Sequence, residues 1–319
     1  MLIIFTQQKY EIFLMIAKFF NKTKPLNNLI LTIVLIIFFG IALFSVSKNT
    51  LDLSYFLKNI SSFILIFLTL FLIRFIVKKN GLSKDNSYVI LLLVLYFGMF
   101  PLALLNLKLL ITHFILLLAL RRIYSIRTGK NTIEKILDSS FWIGIMTLIY
   151  PLSIVFIILV YTAIYVFRKL TIRNFIIPIV GVLAPILIYG VYLFVIDDLN
   201  SFMLYSKPNF SYLDYNSLQL LIPIALLFGL LLWIVPTTTI KTITTNFEYK
   251  SIWFLLLVHV FISILYIIPS TIKNGSEFLF LFFPIVIIFT HYLELIKEKW
   301  FKEVFLLLFF IVTISIYFL

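Results

Sequence analysis

The chain is 319 residues long, 63% hydrophobic and 12% charged, whereas a soluble domain carries roughly a quarter of its residues as charges. It has no cysteine, which excludes a disulfide framework and a thiolate metal site. The net charge is +13, but there is no basic soluble domain to hold a nucleic acid, so Lys and Arg are expected to face anionic lipid headgroups instead.

Apolar runs on the order of 20 residues recur along the chain without the alternation of barrel strands, which predicts an all-α, polytopic transmembrane helical bundle. Residues 1–25 read as a cytoplasmic or interfacial segment, and 26–319 as a single transmembrane domain. Lys9, Glu11, Lys18, Lys22 and Lys24 interrupt the first apolar patches, so a cleaved signal peptide is not expected there. Met15 offers a second start, which would make residues 1–14 a mis-assigned extension. Spans follow at 26–46, 63–76, 88–105, 109–120, 139–150, 152–167, 174–196, 218–235, 252–268, 278–293 and 304–319, eleven crossings in all.

The break at Tyr150-Pro151 decides the topology. With a hairpin there and the N-terminus inside, 21 of the 26 Lys and Arg residues fall on the inner side and five outside: Lys48, Lys58, Lys108, Lys207 and Lys273. That bias agrees with the positive-inside rule. One long helix across 139–167 would move every later basic loop outside. The expected orientation is therefore N-terminus in, C-terminus out. Short or proline-broken spans, with Pro101, Pro178, Pro185, Pro223 and Pro284, free backbone groups that must be buried in protein or line a cavity.

Few polar groups are placed for chemistry. Asp52, in the first outer loop, has the carboxylate a general base or cation ligand needs, although a lone loop acid is ordinarily just solvated. Asp197-Asp198 is the only adjacent acidic pair; it suits a metal or an acceptor site, or simply ends a helix, where its charge opposes the dipole. Lys207 and Lys273 are candidates for holding a lipid phosphate. Asp214, Asn216-Ser217, Glu277 and Asp138-Ser139-Ser140 read as helix starts. Arg121, Arg122 and Arg127 are expected to snorkel to headgroups. His113 and His259 fall within spans, where an ionisable residue is a site candidate or a histidine bonded to a neighbouring helix. No span carries Asp or Glu at its middle, no Walker, serine-nucleophile or HExxH motif is present, and no metal set or cofactor is evident.

The blocks MIAKFFNKTKPLNN, FIVKKNGLSKDNSYVILL, ALRRIYSIRTGKNTIEKILDSSFWIGIMTLIY and NGSEFLFLFFPIVII together resemble an uncharacterised multi-pass membrane family of Bacteroidota, over nearly the whole chain from Met15. The resemblance implies a bacterial inner-membrane protein of unknown function. Span lengths and the block YPLSIVFIILVYTAIYVFRKL also resemble the architecture of the GT-C glycosyltransferases. That likeness implies a polyprenyl-phosphate-linked sugar donor on the outer side, Asp52 as catalytic acid and room for a divalent cation. The first loop departs from the pattern, being short with a single acid. Three readings follow: an accessory or assembly protein with envelope-protein partners and membrane lipids, a GT-C-like transferase, and a carrier of lipid or amphiphile.

Overall fold

The computed structural model of the protein describes residues 15–46, 53–198, 208–245 and 247–319, and among these there is helix and turn but no strand. The helices are α1 (Met15–Phe20), α2 (Pro25–Val46), α3 (Leu53–Asn80), α4 (Tyr88–Met99), α5 (Pro101–Leu105), α6 (Leu107–Ser125) and α7 (Thr132–Ile149). After the break come α8 (Ile157–Val166), α9 (Ile172–Val195), α10 (Leu218–Thr245), α11 (Phe247–Ile267), α12 (Leu279–Leu295) and α13 (Lys299–Ser315). Seven helical stretches among the described residues are long and apolar enough to cross a membrane.

The core is built around α12, in which every residue from Leu279 to Leu293 is buried. Its phenylalanines interlock with the rings of the surrounding helices. Phe282 lies 3.9 Å from the Tyr96 ring and 4.8 Å from Phe97. Phe280 lies 4.3 Å from Tyr266 and 5.6 Å from Phe156. Against lipid, apolar side chains gain little by leaving solvent, so close ring packing and dispersion are what favour this arrangement. Helices α7 and α9 meet through small residues instead. A Cβ on Gly181 would come within 2.6 Å of Ser140 Cβ, and one on Gly144 within 2.6 Å of the Val182 carbonyl oxygen, so only glycine allows that approach.

The chain breaks at Tyr150-Pro151. Helix α7 ends at Ile149, Tyr150 is extended (φ −135°, ψ 103°), and a 3-10 turn over Pro151–Phe156 leads into α8. A residue before proline is pushed out of the helical region in this way. The same device at Phe100-Pro101 divides the expected 88–105 span into α4 and α5.

Other boundaries differ from the sequence reading. Helix α3, the second expected span, begins at Leu53, ten residues before the expected Phe63, because Tyr55, Phe56, Leu57 and Ile60 extend its apolar pattern through the expected loop. Helix α10 runs past Val235 and Pro236 to Thr245; Thr237, Thr239 and Thr244 return their hydroxyls to carbonyls of the preceding turn, at 2.6–3.2 Å. Asp138 does not start a helix. It sits within α7, which opens after Asn131, and its carboxylate pairs with Arg122 at 2.8 Å. Arg122 is therefore tied to protein rather than left to headgroups alone.

Contacts between distant segments collect at two ends. At one, Glu294 accepts from the Lys84 amide and the Asn86 side chain, Tyr249 donates to the Leu82 carbonyl, Tyr88 donates to the Ala17 carbonyl, and Glu303 accepts from the Ala17 amide. At the other, Asn209 donates to the Pro269 carbonyl, Tyr215 donates to Glu277, and Phe100 stacks on Phe278.

Candidate functional site

The most developed polar cluster lies at the second end, where the chain enters α12. Gly275 adopts φ +91°, and a Cβ there would fall 2.8 Å from Leu220 Cδ2 and 2.9 Å from Phe100 Cδ1, so both the conformation and the space require glycine. The Asn274 side chain accepts from the Ser276 amide at 3.1 Å and tightens the turn. These constraints drive Glu277 inward, where it has no exposed surface. The Tyr215 phenol donates to Glu277 Oε1, while Oε2 has no hydrogen-bond partner among the described residues.

Lys273 faces the same cluster and is 5% exposed. Its ammonium donates to the carbonyls of Ile267 (3.0 Å) and Ile268 (2.8 Å) at the end of α11, where the Ser270 amide also donates to Ile267 (3.1 Å). It also lies over the rings of Tyr212 (5.1 Å) and Tyr215 (5.5 Å). Burial pulls the Lys273 pKa below its ordinary value, against the opposing charges of Glu277 and Asp214. Burial also pushes the Tyr215 phenol well up, aided by Glu277. With two of its three donors committed to backbone, Lys273 retains one for a ligand.

Beneath this cluster runs a groove of about 350 Å³. Leu221, Ile224 and Phe228 of α10 form one wall, Ile264 and Ile268 the other, and Phe278 the floor; Tyr212 and Tyr215 stand at its polar end. It is at the small end of the roughly 300–1,000 Å³ typical of ligand pockets, and such pockets are mostly apolar with a few converging polar groups.

The remaining sequence candidates fall elsewhere. Asp52 and Lys207 lie outside the described residues. Asp197 and Asp198 are both exposed and close α9 in a Schellman turn: the Asp198 amide donates to the Leu193 carbonyl (3.0 Å), that of Asp197 to Phe194 (3.2 Å), and Asp197 takes φ +58°. His113 and His259 are fully buried among Phe156, Phe280, Phe282 and Phe283, and neither ring nitrogen of either has a described hydrogen-bond partner. No group of three or more metal-binding side chains is found among the described residues.

Two features were missed in the sequence. Glu277 reads there as a helix start, and its partner Tyr215 lies 62 positions away, with nothing local to join them. His291, whose Nε2 lies 3.1 Å from Thr242 Oγ1 and whose ring stacks on Tyr249 at 4.3 Å, is embedded in a polar cluster with Glu294 at the opposite end.

A buried central helix, a groove beside a polar cluster and, among the described residues, seven helices long and apolar enough to cross a bilayer are the features of a helical membrane protein. The chain belongs to a family of unknown function, DUF6427, whose model matches residues 15–319. No curated protein and no solved structure matches it.

Proposed function

We propose that the protein is a multi-pass protein of the bacterial inner membrane that binds one hydrocarbon chain of an amphiphile in the groove between α10 and α11, as an accessory of envelope processes rather than as an enzyme. The observation that carries this reading is the groove itself: apolar along its length and ending at Tyr212 and Tyr215, over whose rings Lys273 lies, it offers a chain slot beside a polar rest for a headgroup.

An eleven-pass topology with the N-terminus inside is supported by which segments meet. Ala17, Leu82, Asn86, Tyr249, Glu294 and Glu303 come together, and all lie in or next to segments expected inside. Phe100, Asn209, Tyr215, Pro269 and Glu277 belong to the other side.

The test is photolabelling of the purified protein in bilayers that contain a phospholipid with a diazirine on its acyl chain. Adducts are expected to concentrate on residues 221–228 and 264–268, and Ile264→Trp, which fills the slot, is expected to remove most of them. Labelling no denser there than along the lipid-exposed face of α9 would defeat the proposal.

A further inference from the structure

At the opposite end of the molecule from the groove, a second concavity of about 330 Å³ lies between the start of α2, the end of α3 and the loop that leads into α4. Its lining includes Arg74, Lys78 and Lys84, with Thr23, Asn28 and Asp85 around them. Among the described residues Asp85 is the one carboxylate in the lining, and the Thr23 hydroxyl donates to it at 2.6 Å. None of the three cations forms an ion pair with a described carboxylate. The nearby Glu294 carboxylate is held by the Lys84 amide and the Asn86 side chain. Three basic groups against Asp85 in the lining and Glu294 beside Lys84 still leave a positive surplus in a polar recess, which suits a phosphate group.

The surface leading to the recess indicates where that phosphate comes from. Along α3, Ile64, Leu68 and Phe71 are exposed (54%, 46% and 71%), and at helical spacing the same face continues into Arg74 and Lys78. A greasy stripe that ends in guanidinium and ammonium groups matches an acyl chain joined to a phosphate headgroup. It also lies at the end where most Lys and Arg residues are expected, facing the anionic leaflet. A basic recess between helices at that depth is a recognised way to hold an anionic lipid headgroup.

We propose that Arg74, Lys78 and Lys84 form a binding site for the phosphate of an anionic phospholipid, whose chain lies along the exposed face of α3. The site is separate from the groove between α10 and α11.

Native mass spectrometry of the full chain, released from micelles of mixed phosphatidylglycerol and phosphatidylcholine, tests this. The wild type is expected to retain phosphatidylglycerol preferentially. The triple variant Arg74→Gln/Lys78→Gln/Lys84→Gln is expected to lower that preference by at least about tenfold, given contributions on the order of 1 kcal/mol per basic residue near a membrane surface. A control, Lys250→Gln/Lys297→Gln/Lys299→Gln, removes equal charge from the same expected side and is expected to leave the preference intact. Size-exclusion profiles establish that each variant is folded, and single Lys84→Gln gives a milder change if the triple variant does not fold. Millimolar inorganic phosphate separates the two sources of the same chemistry: a lipid held by headgroup and chain resists displacement, whereas ready displacement would assign the recess to a soluble phosphate and overturn the lipid proposal. Equal loss in the control, or retention of phosphatidylcholine as strong as that of phosphatidylglycerol, would overturn it too.

Discussion

Helices α9 and α12 are comparably apolar, and both contain proline, yet they occupy opposite environments. In α12, 89% of the most apolar stretch is buried; in α9 the share is 28%. Composition does not separate them, because lipid and protein core are equally apolar, and burial in a membrane is decided by shape. Helix α12 carries phenylalanines that neighbouring rings enclose on all sides. Helix α9 packs against α7 along a seam of Gly181, Val182 and Pro185, meets α8 through Phe175 and Tyr161, and leaves Leu187, Ile188 and Val191 exposed.

The largest expected effect tests this contrast directly. Phe280→Ala removes a ring in contact with Tyr266 and Phe156, and is expected to destabilise the protein by about 3 kcal/mol or more. Ile188→Ala on α9, 66% exposed, is expected to stay within about 0.5 kcal/mol. Thermal or SDS-induced unfolding in micelles measures both. Similar losses in the two variants would mean that α9 is covered by something other than lipid.

An intermediate effect belongs to the seam. Gly181→Leu must displace Ser140 and the backbone at Leu137, and is expected to cost about 1–3 kcal/mol. Gly190 lies on the same helix, and a Cβ there meets nothing within 4 Å. Gly190→Ala is expected to stabilise by about 0.4–1 kcal/mol, since it lowers only the freedom of the unfolded chain. If both glycines tolerate a side chain equally, α9 is not anchored where the glycines place it.

The parts of this fold that are legible in the sequence are those with a local cause. The prolines at 101 and 151 mark their breaks because the residue before each cannot remain helical, and the apolar runs mark the helices. The start of α3 was hidden because Ser54, Lys58, Asn59 and Ser61 resemble a loop while Tyr55, Phe56, Leu57 and Ile60 keep a helical surface. The candidate site was largely illegible. The sequence offers Lys273 as a loop cation able to hold a lipid phosphate, but its burial depends on Tyr212 and Tyr215 arriving from about 60 positions earlier, and Glu277 reads as a cap because its acceptor role is completed only across that distance. No periodicity carries information of that range.

The smallest effect concerns how the two helices are terminated. Helix α9 ends in the exposed Asp197 and Asp198, whereas α12 is entered past the buried Lys273. Because burial lowers the Lys273 pKa from its ordinary 10.5, the folded protein releases that proton at a lower pH than the unfolded chain does. Within the window between the folded value and 10.5 the unfolded state holds more protons, so this group makes stability rise with pH. Below the window both states carry the charge and the burial penalty is fully felt. Above it the penalty is gone. Tyr215 acts in the opposite sense: with its pKa raised in the fold, the unfolded phenol ionises first and stability falls as pH passes its unfolded value, near 10. The separation comes from comparing wild type with Lys273→Met across the alkaline range, since Tyr215 contributes to both curves. The difference between them is expected to tilt in favour of the wild type as pH rises towards 10.5, on top of a constant offset from the lost bonds to Ile267 and Ile268. A difference that stays flat would mean that Lys273 reaches water in the folded protein and that the entry to α12 is as open as the exit from α9.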